Sequence, residues 1–160
     1  MRIPITPIRK ELTRIVDTKE EIEISPRVFS TVPSVVTNIY GVTLLEKRNT
    51  LSDCRKKMDC VKYCFGKNMP GWVPSPNTLE VIPVFKKHFE VENPREGDLA
   101  IYYDGVMEKT RFIGEFTHVG RFSSNGLVIS KWGFEGDVYL HSPELVPWEY
   151  GEMIKFFRKE

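Results

Sequence analysis

Cys60 lies in the stretch of the chain with the densest reactive chemistry, "MDCVKYCFG" at residues 58–66. A thiol is a useful nucleophile only as its thiolate, and the free N–H groups at a helix N-terminus favour that form. Asp59 is a good N-cap. Two helix placements fit these residues. A short helix capped by Asp59 and ending at Gly66 puts Cys60 in the first turn. A longer helix from about Ser52, drawn from the apolar stripe Leu51, Cys54, Met58, Val61 and Phe65, puts Cys60 in mid-helix and removes most of that help. Sealed from water, the same cysteine is an inert, small apolar residue. Cys64, one turn on, is expected to face the core, and Cys54 shares the apolar stripe and reads as structural.

A cysteine nucleophile needs a base beside it, usually a histidine from elsewhere in the chain. His118, in "FTHVGRF", sits on a strand pattern that would hold it rigidly. The other reading of His118 is a packed strand histidine. His88 falls in "FKKHFE", a charged helical surface, and His141 falls at a strand end before a proline in "YLHSPEL". A third group should orient the imidazole. The hairpin signal Asn125-Gly126 constrains it through parity. A two-residue turn puts residues 127, 129 and 131 on the His118 face. A three-residue loop puts Ser130 and Trp132 there instead. Lys131 has no acceptor, so Ser130 is the candidate, with no acid at that position.

Metal binding is the rival chemistry. Cys54, Cys60 and Cys64 follow C-x5-C-x3-C, looser than the close pairs of structural zinc sites, and a histidine would complete the set. No phosphate-binding glycine loop and no basic-aromatic surface is visible, so neither a nucleotide cofactor nor nucleic acid is expected.

The composition sets the frame. The chain has 160 residues, 41% hydrophobic and 28% charged, with a net charge of +1. That length supports one domain with a real core, and the charge favours neither nucleic acid nor an anionic membrane. No apolar run approaches the ~20 residues of a membrane span. The start "MRIPITPIRKELTRIVD" has no apolar signal region, and an odd number of clustered cysteines does not suit a disulfide framework. The expectation is a cytoplasmic, reducing setting. Residues 1–49 are β-leaning, 50–66 helical, 68–77 a Pro/Gly loop ("NMPGWVPSPN"), and 78–92 helical but interrupted by Pro83. "GDLAIYYDG", "GEFTHVGRF", "GLVISKW", "DVYLHS" and "EMIKFFRK" read as antiparallel strands. Helices followed by strands give an α+β class.

The motif order "DCVKYCFG", then "REGDLAIYY", then "THVGRFSSNGLVISKWG" resembles the NlpC-type cysteine peptidases and amidases of the papain-like superfamily, over roughly residues 55–135. The resemblance implies a papain-like α+β fold, a cysteine helix packed on an antiparallel β-sheet. The resemblance does not reach residues 1–49; the length gives one domain over 1–160, with 1–49 as an extension or strand segment and 50–160 as the papain-like core. Within its span the resemblance implies Cys60 as nucleophile, His118 as general base and acid, and Asp59 as the cap of the cysteine helix. Ser130 stands near the position of the family's third polar residue, often histidine. The expected function is thiol-dependent hydrolysis of a peptide or amide-containing small substrate, without a cofactor. The alternatives are a non-catalytic binding module on the same fold and a small zinc-stabilised domain.

Overall fold

The computed structural model of the chain describes residues 1–13, 42–46, 59–66, 87–108, 111–133 and 136–160. The β-branched and aromatic segments of the C-terminal half pair into one antiparallel sheet. Its seven strands are β1 (Thr43–Glu46), β2 (His88–Val91), β3 (Leu99–Glu108), β4 (Arg111–Phe122), β5 (Val128–Lys131), β6 (Val138–His141) and β7 (Met153–Lys159), in the spatial order β1-β6-β5-β4-β3-β7-β2. Two short helices, α1 (Pro7–Leu12) and α2 (Cys60–Phe65), and a 3-10 turn at Trp148–Tyr150 complete the described elements. A large antiparallel sheet with few helices is α+β at the level of class.

Several local expectations meet their outcome here. Of the two placements for the cysteine helix, the described part matches the short one. Asp59 is the N-cap, its carboxylate accepts the Lys62 N–H at 2.9 Å, and Gly66 closes the helix at φ 106°. Residues 47–58 and the Pro/Gly loop lie outside the described residues. The helix expected over 78–92 is corrected at its end. His88–Val91 form β2, paired with β7 from His88↔Lys159 to Val91↔Phe156, because cross-strand pairing outweighs local propensity. His88 therefore stands on a strand, its ring edge-on to Phe65 at 6.3 Å.

The β4–β5 hairpin turns through a three-residue loop. Ser123 N–H donates to Leu127 O at 2.7 Å, Gly126 supplies the positive φ of 75°, and Arg121 pairs with Ile129. The parity that follows puts Ser130 on the His118 face.

Two cores flank the sheet. One face buries Ala100, Tyr102, Val128, Tyr139 and Ile154 against Ile3, Leu12, Val146 and Tyr150. The other buries Leu99, Ile101, Tyr103, Phe116 and Val119 against Cys60, Val61 and Cys64 of α2. Strand β4 contributes to both faces by alternation, and a bulge shifts that alternation partway along it. Tyr102 pairs with His118 and Tyr103 with Phe116, leaving Thr117 as the extra residue. The Thr117 hydroxyl lies between two carbonyl oxygens, 3.0 Å from that of Tyr102 and 2.6 Å from that of Tyr150.

The N-terminal segment docks on the first face. Its backbone meets the start of β7 through Ile3 N–H to Glu152 O at 2.6 Å and Ile154 N–H to Met1 O at 2.8 Å. Arg9, 1% exposed, donates to the carbonyls of Val146, Pro147, Gly151, Ile3 and Pro4. Burial lowers its pKa, with Tyr102 and Glu152 opposing.

Gly151 sits where this segment, the turn and β3 converge. Its φ is 91°, and an added Cβ would lie 2.1 Å from the Tyr103 carbonyl oxygen. Gly151→Ala is expected to lower unfolding free energy by about 2–4 kcal/mol in urea titration, since both the backbone conformation and the close approach demand glycine. An unchanged midpoint would contradict this account of the junction.

Candidate functional site

The sulfur of Cys60 begins where the Asp59 cap fixes the first turn of α2. The helix is held on β4 from its other end. Arg121 Nη2 and Nε donate to the Cys64 carbonyl at 2.7 and 3.2 Å, Arg121 Nη1 donates to Gly97 O at 3.1 Å, and its guanidinium lies 5.7 Å from the centre of the Phe65 ring. A cation on the last carbonyls of a helix is a favourable C-terminal arrangement. Cys60 and Cys64 are 7% and 8% exposed. Cys64 Sγ donates to Val119 O at 3.8 Å, and the Cys60 sulfur accepts the Val119 N–H. Both thiols therefore address the backbone of one β4 residue.

Burial pushes the Cys60 thiol well above its ordinary value. The neighbouring Cys64 and the Asp59 carboxylate add to this, while the N–H groups of Val119 and Val61 oppose it. Burial likewise pushes Cys64 up to about 12, against the pull of Arg121. At neutral pH both are thiols, not thiolates.

His118 is the residue before Val119, and strand alternation turns its side chain to the opposite face. Its ring stacks on Tyr150, centroids 3.9 Å apart and planes 4° apart, and tilts against Tyr102 at 5.6 Å. It is 1% exposed, and its Nε2 has no hydrogen-bond partner among the described residues. Burial, and secondarily His141, hold its pKa well below the ordinary histidine value. The backbone thus brings Cys60 and His118 to adjacent residues of β4, while their packing neighbours lie on opposite faces of the sheet.

Ser130 shares the His118 face, but its partner is His141. The Nδ1 of His141 lies 2.8 Å from Ser142 O, and Ser130 Oγ lies 2.8 Å from Nε2. A carbonyl only accepts, so Nδ1 carries the proton and Nε2 the lone pair. The Ser130 hydroxyl then donates to Nε2 and accepts the Trp132 Nε1–H at 2.9 Å. The result is a directed chain from Trp132 through Ser130 and His141 to the backbone, all within the buried layer. Burial brings His141 down to about 4, with the Ser142 carbonyl opposing. Lys131 points elsewhere, donating to Gly133 O and Gly136 O at 3.0 and 2.8 Å.

His141 and Tyr150 pack with His118 and Ser130 although neither stands in a motif of the sequence. The three-residue-loop parity places Ser130 and Trp132 with His118, but it carries no register for β6. His141 joins them only through the β5–β6 pairing, Val128↔His141 and Ser130↔Tyr139. Tyr150 comes from a 3-10 turn with no motif. For metals, Cys54 lies outside the described residues, and among those described no group of three or more His, Cys, Asp or Glu could hold an ion. No helix among the described residues is long and apolar enough to cross a membrane. A groove of about 450 Å³ lies away from both Cys60 and His118, lined by Arg2, Pro4, Ile5 and Glu152. Comparison of the chain with protein-family models, curated proteins and solved structures gives no match.

Ser130→Ala leaves the Trp132 N–H and the His141 Nε2 without their shared partner. A loss of about 1–3 kcal/mol in unfolding free energy is expected, with a change in Trp132 fluorescence. Full retention of stability would show that the chain of donors carries no weight.

Proposed function

We propose that the protein is a non-catalytic binding module on an NlpC-type, papain-like scaffold, taking a peptide or another amide-containing ligand. The observation that carries this reading is the placement of the Cys60 and His118 side chains on opposite faces of the β3–β4 ladder, with the thiol buried and protonated. A general base has to reach the proton that it removes. The His118 ring lies flat on Tyr150 instead, and the hydroxyl of Ser130 is engaged by His141. The ligand class follows from the family resemblance. The groove at Arg2, Pro4, Ile5 and Glu152 is a concave surface among the described residues that such a ligand could use, with the Arg2–Glu152 ion pair at 3.2 Å on its wall.

A second reading, thiol-dependent hydrolysis of an amide, is favoured by one observation. Cys60 opens an Asp59-capped helix, and its sulfur accepts the N–H of the residue after His118. In that chemistry His118 takes the Cys60 proton, the thiolate attacks the carbonyl, and the Cys60 N–H helps hold the oxyanion. His118 then protonates the leaving amine, and water releases the acyl group. The imidazole would first have to leave Tyr150 and cross to the sulfur.

Iodoacetamide labelling of the native protein near neutral pH separates the two. The binding module predicts that Cys60 and Cys64 label alike and on the order of a hundredfold more slowly than a free thiol, because labelling needs both thiolate and access. Selective labelling of Cys60 over Cys64, lost in His118→Ala, would overturn the module and support the hydrolase.

A further inference from the structure

The buried face of the sheet carries a device that neither functional reading uses. His118 and His141 lie in one layer with the turn that bears Tyr150, and that turn is tied to the N-terminal segment. We propose that His118, His141 and Tyr150 form an acid-sensitive latch, which keeps the N-terminal segment and the Pro147–Gly151 turn docked on the sheet at neutral pH and lets them come off on acidification.

The latch has two mechanical parts. Tyr150 is 8% exposed and meets His118 face to face at 3.9 Å, so the turn can leave only by uncovering the imidazole. Arg9 joins the same turn to the first residues of the chain through the carbonyls of Val146, Pro147, Gly151, Ile3 and Pro4. Release of Tyr150 therefore loosens the backbone bonds of Ile3 to Glu152 and of Ile154 to Met1.

The layer accommodates neutral rings and has no place for charged ones. His118 Nε2 has no acceptor among the described residues for a second proton to meet. His141 already donates through Nδ1 and accepts through Nε2, so a further proton would force the Ser130 hydroxyl to rotate and give up the acceptor it has on that ring. Facing His118 are Tyr102 from β3, Tyr150 from the turn and His141 from β6, while the Cys60 thiol of α2 lies on the other face of the sheet. The neighbouring charges act on other groups: Glu144 and Arg9 on Tyr102, Glu152 on Arg9, and Asp137 on Tyr139. A protonated His118 would meet a neighbouring histidine and no carboxylate among these groups.

The direction of the pH effect follows. Docked, His118 stays neutral because burial and His141 hold its pKa down. Undocked and solvated, it takes up a proton near pH 6.5. Docking is thus at full strength above about pH 7 and weakens as pH falls below about 6.5. A single histidine with those properties changes the docking equilibrium up to roughly 25-fold between pH 7 and pH 5.

Amide hydrogen exchange on the full chain tests this. The exchange of Ile3 and Ile154 is divided by that of Ile101, in the β3–β4 ladder, so that the intrinsic pH dependence cancels. The ratio is expected to rise at least tenfold from pH 7 to pH 5 in the wild type and to rise markedly less in His118→Phe, which keeps an aromatic ring on Tyr150 and leaves His141 as the only titrating ring of the latch. A flat wild-type ratio, or an equal rise in His118→Phe, overturns the latch. If that variant does not fold, the wild-type His118 ring signal decides by NMR. Titration with the same midpoint as the exchange ratio supports the latch, and titration with no change in exchange refutes it.

Discussion

A buried guanidinium must find an acceptor for its N–H groups, and Arg9 finds backbone carbonyls on both sides of itself. The desolvation cost of the charge is offset only while all of those carbonyls converge on it. That condition fixes the path of the first residues and of the turn after β6 at once. It also sets where Tyr150 lies, and Tyr150 sets the plane of His118. The orientation of a histidine in the centre of the sheet is thereby determined by a cation whose contacts begin within the first four residues of the chain.

The second determinant is the bulge at Thr117. Without an extra residue, Phe116 and His118 would share a face. With it, Phe116 packs beside Cys60, while His118 joins Tyr102 on the other side. The same bulge brings the Thr117 hydroxyl within reach of the Tyr102 and Tyr150 carbonyls, so it is bonded to the turn that Arg9 positions. One inserted residue thus sets Phe116 against the cysteine helix, while ordinary alternation between His118 and Val119 keeps the imidazole on the face away from the thiol.

Much of this architecture was legible in the residues, and the limits have physical causes. Strands β3 to β7 follow from period-two patterning and turn residues, and the cap at Asp59 follows from its side chain. The loop length between β4 and β5 was open because Asn125-Gly126 serves both a two-residue turn and a three-residue loop. The flanking hydrogen bond of Ser123 to Leu127 decides between them. The end of the segment around Pro83 reads as helix because its apolar residues fit that period, yet His88–Val91 pair with β7, a long-range gain that no local window contains. The Cys60 and His118 motifs are local, whereas their relation depends on the face of β4 on which the cysteine helix docks and on the turn that Arg9 positions, both outside any motif. The place of His141 is illegible for a similar reason. Its partner Ser130 reaches it only once β6 lies beside β5.

The strand order also has a kinetic meaning. β3, β4, β5 and β6 are neighbours in space and successive along the chain, so their ladders close short loops. β1 pairs with β6 from Thr43↔Leu140 onward, and the N-terminal residues reach β7, so these edges close loops that span most of the polymer. Assembly from the central meander outward, with the N-terminal residues arriving last, is the order that chain entropy favours. The His118 imidazole would then lose its contact with water only in the closing step of folding.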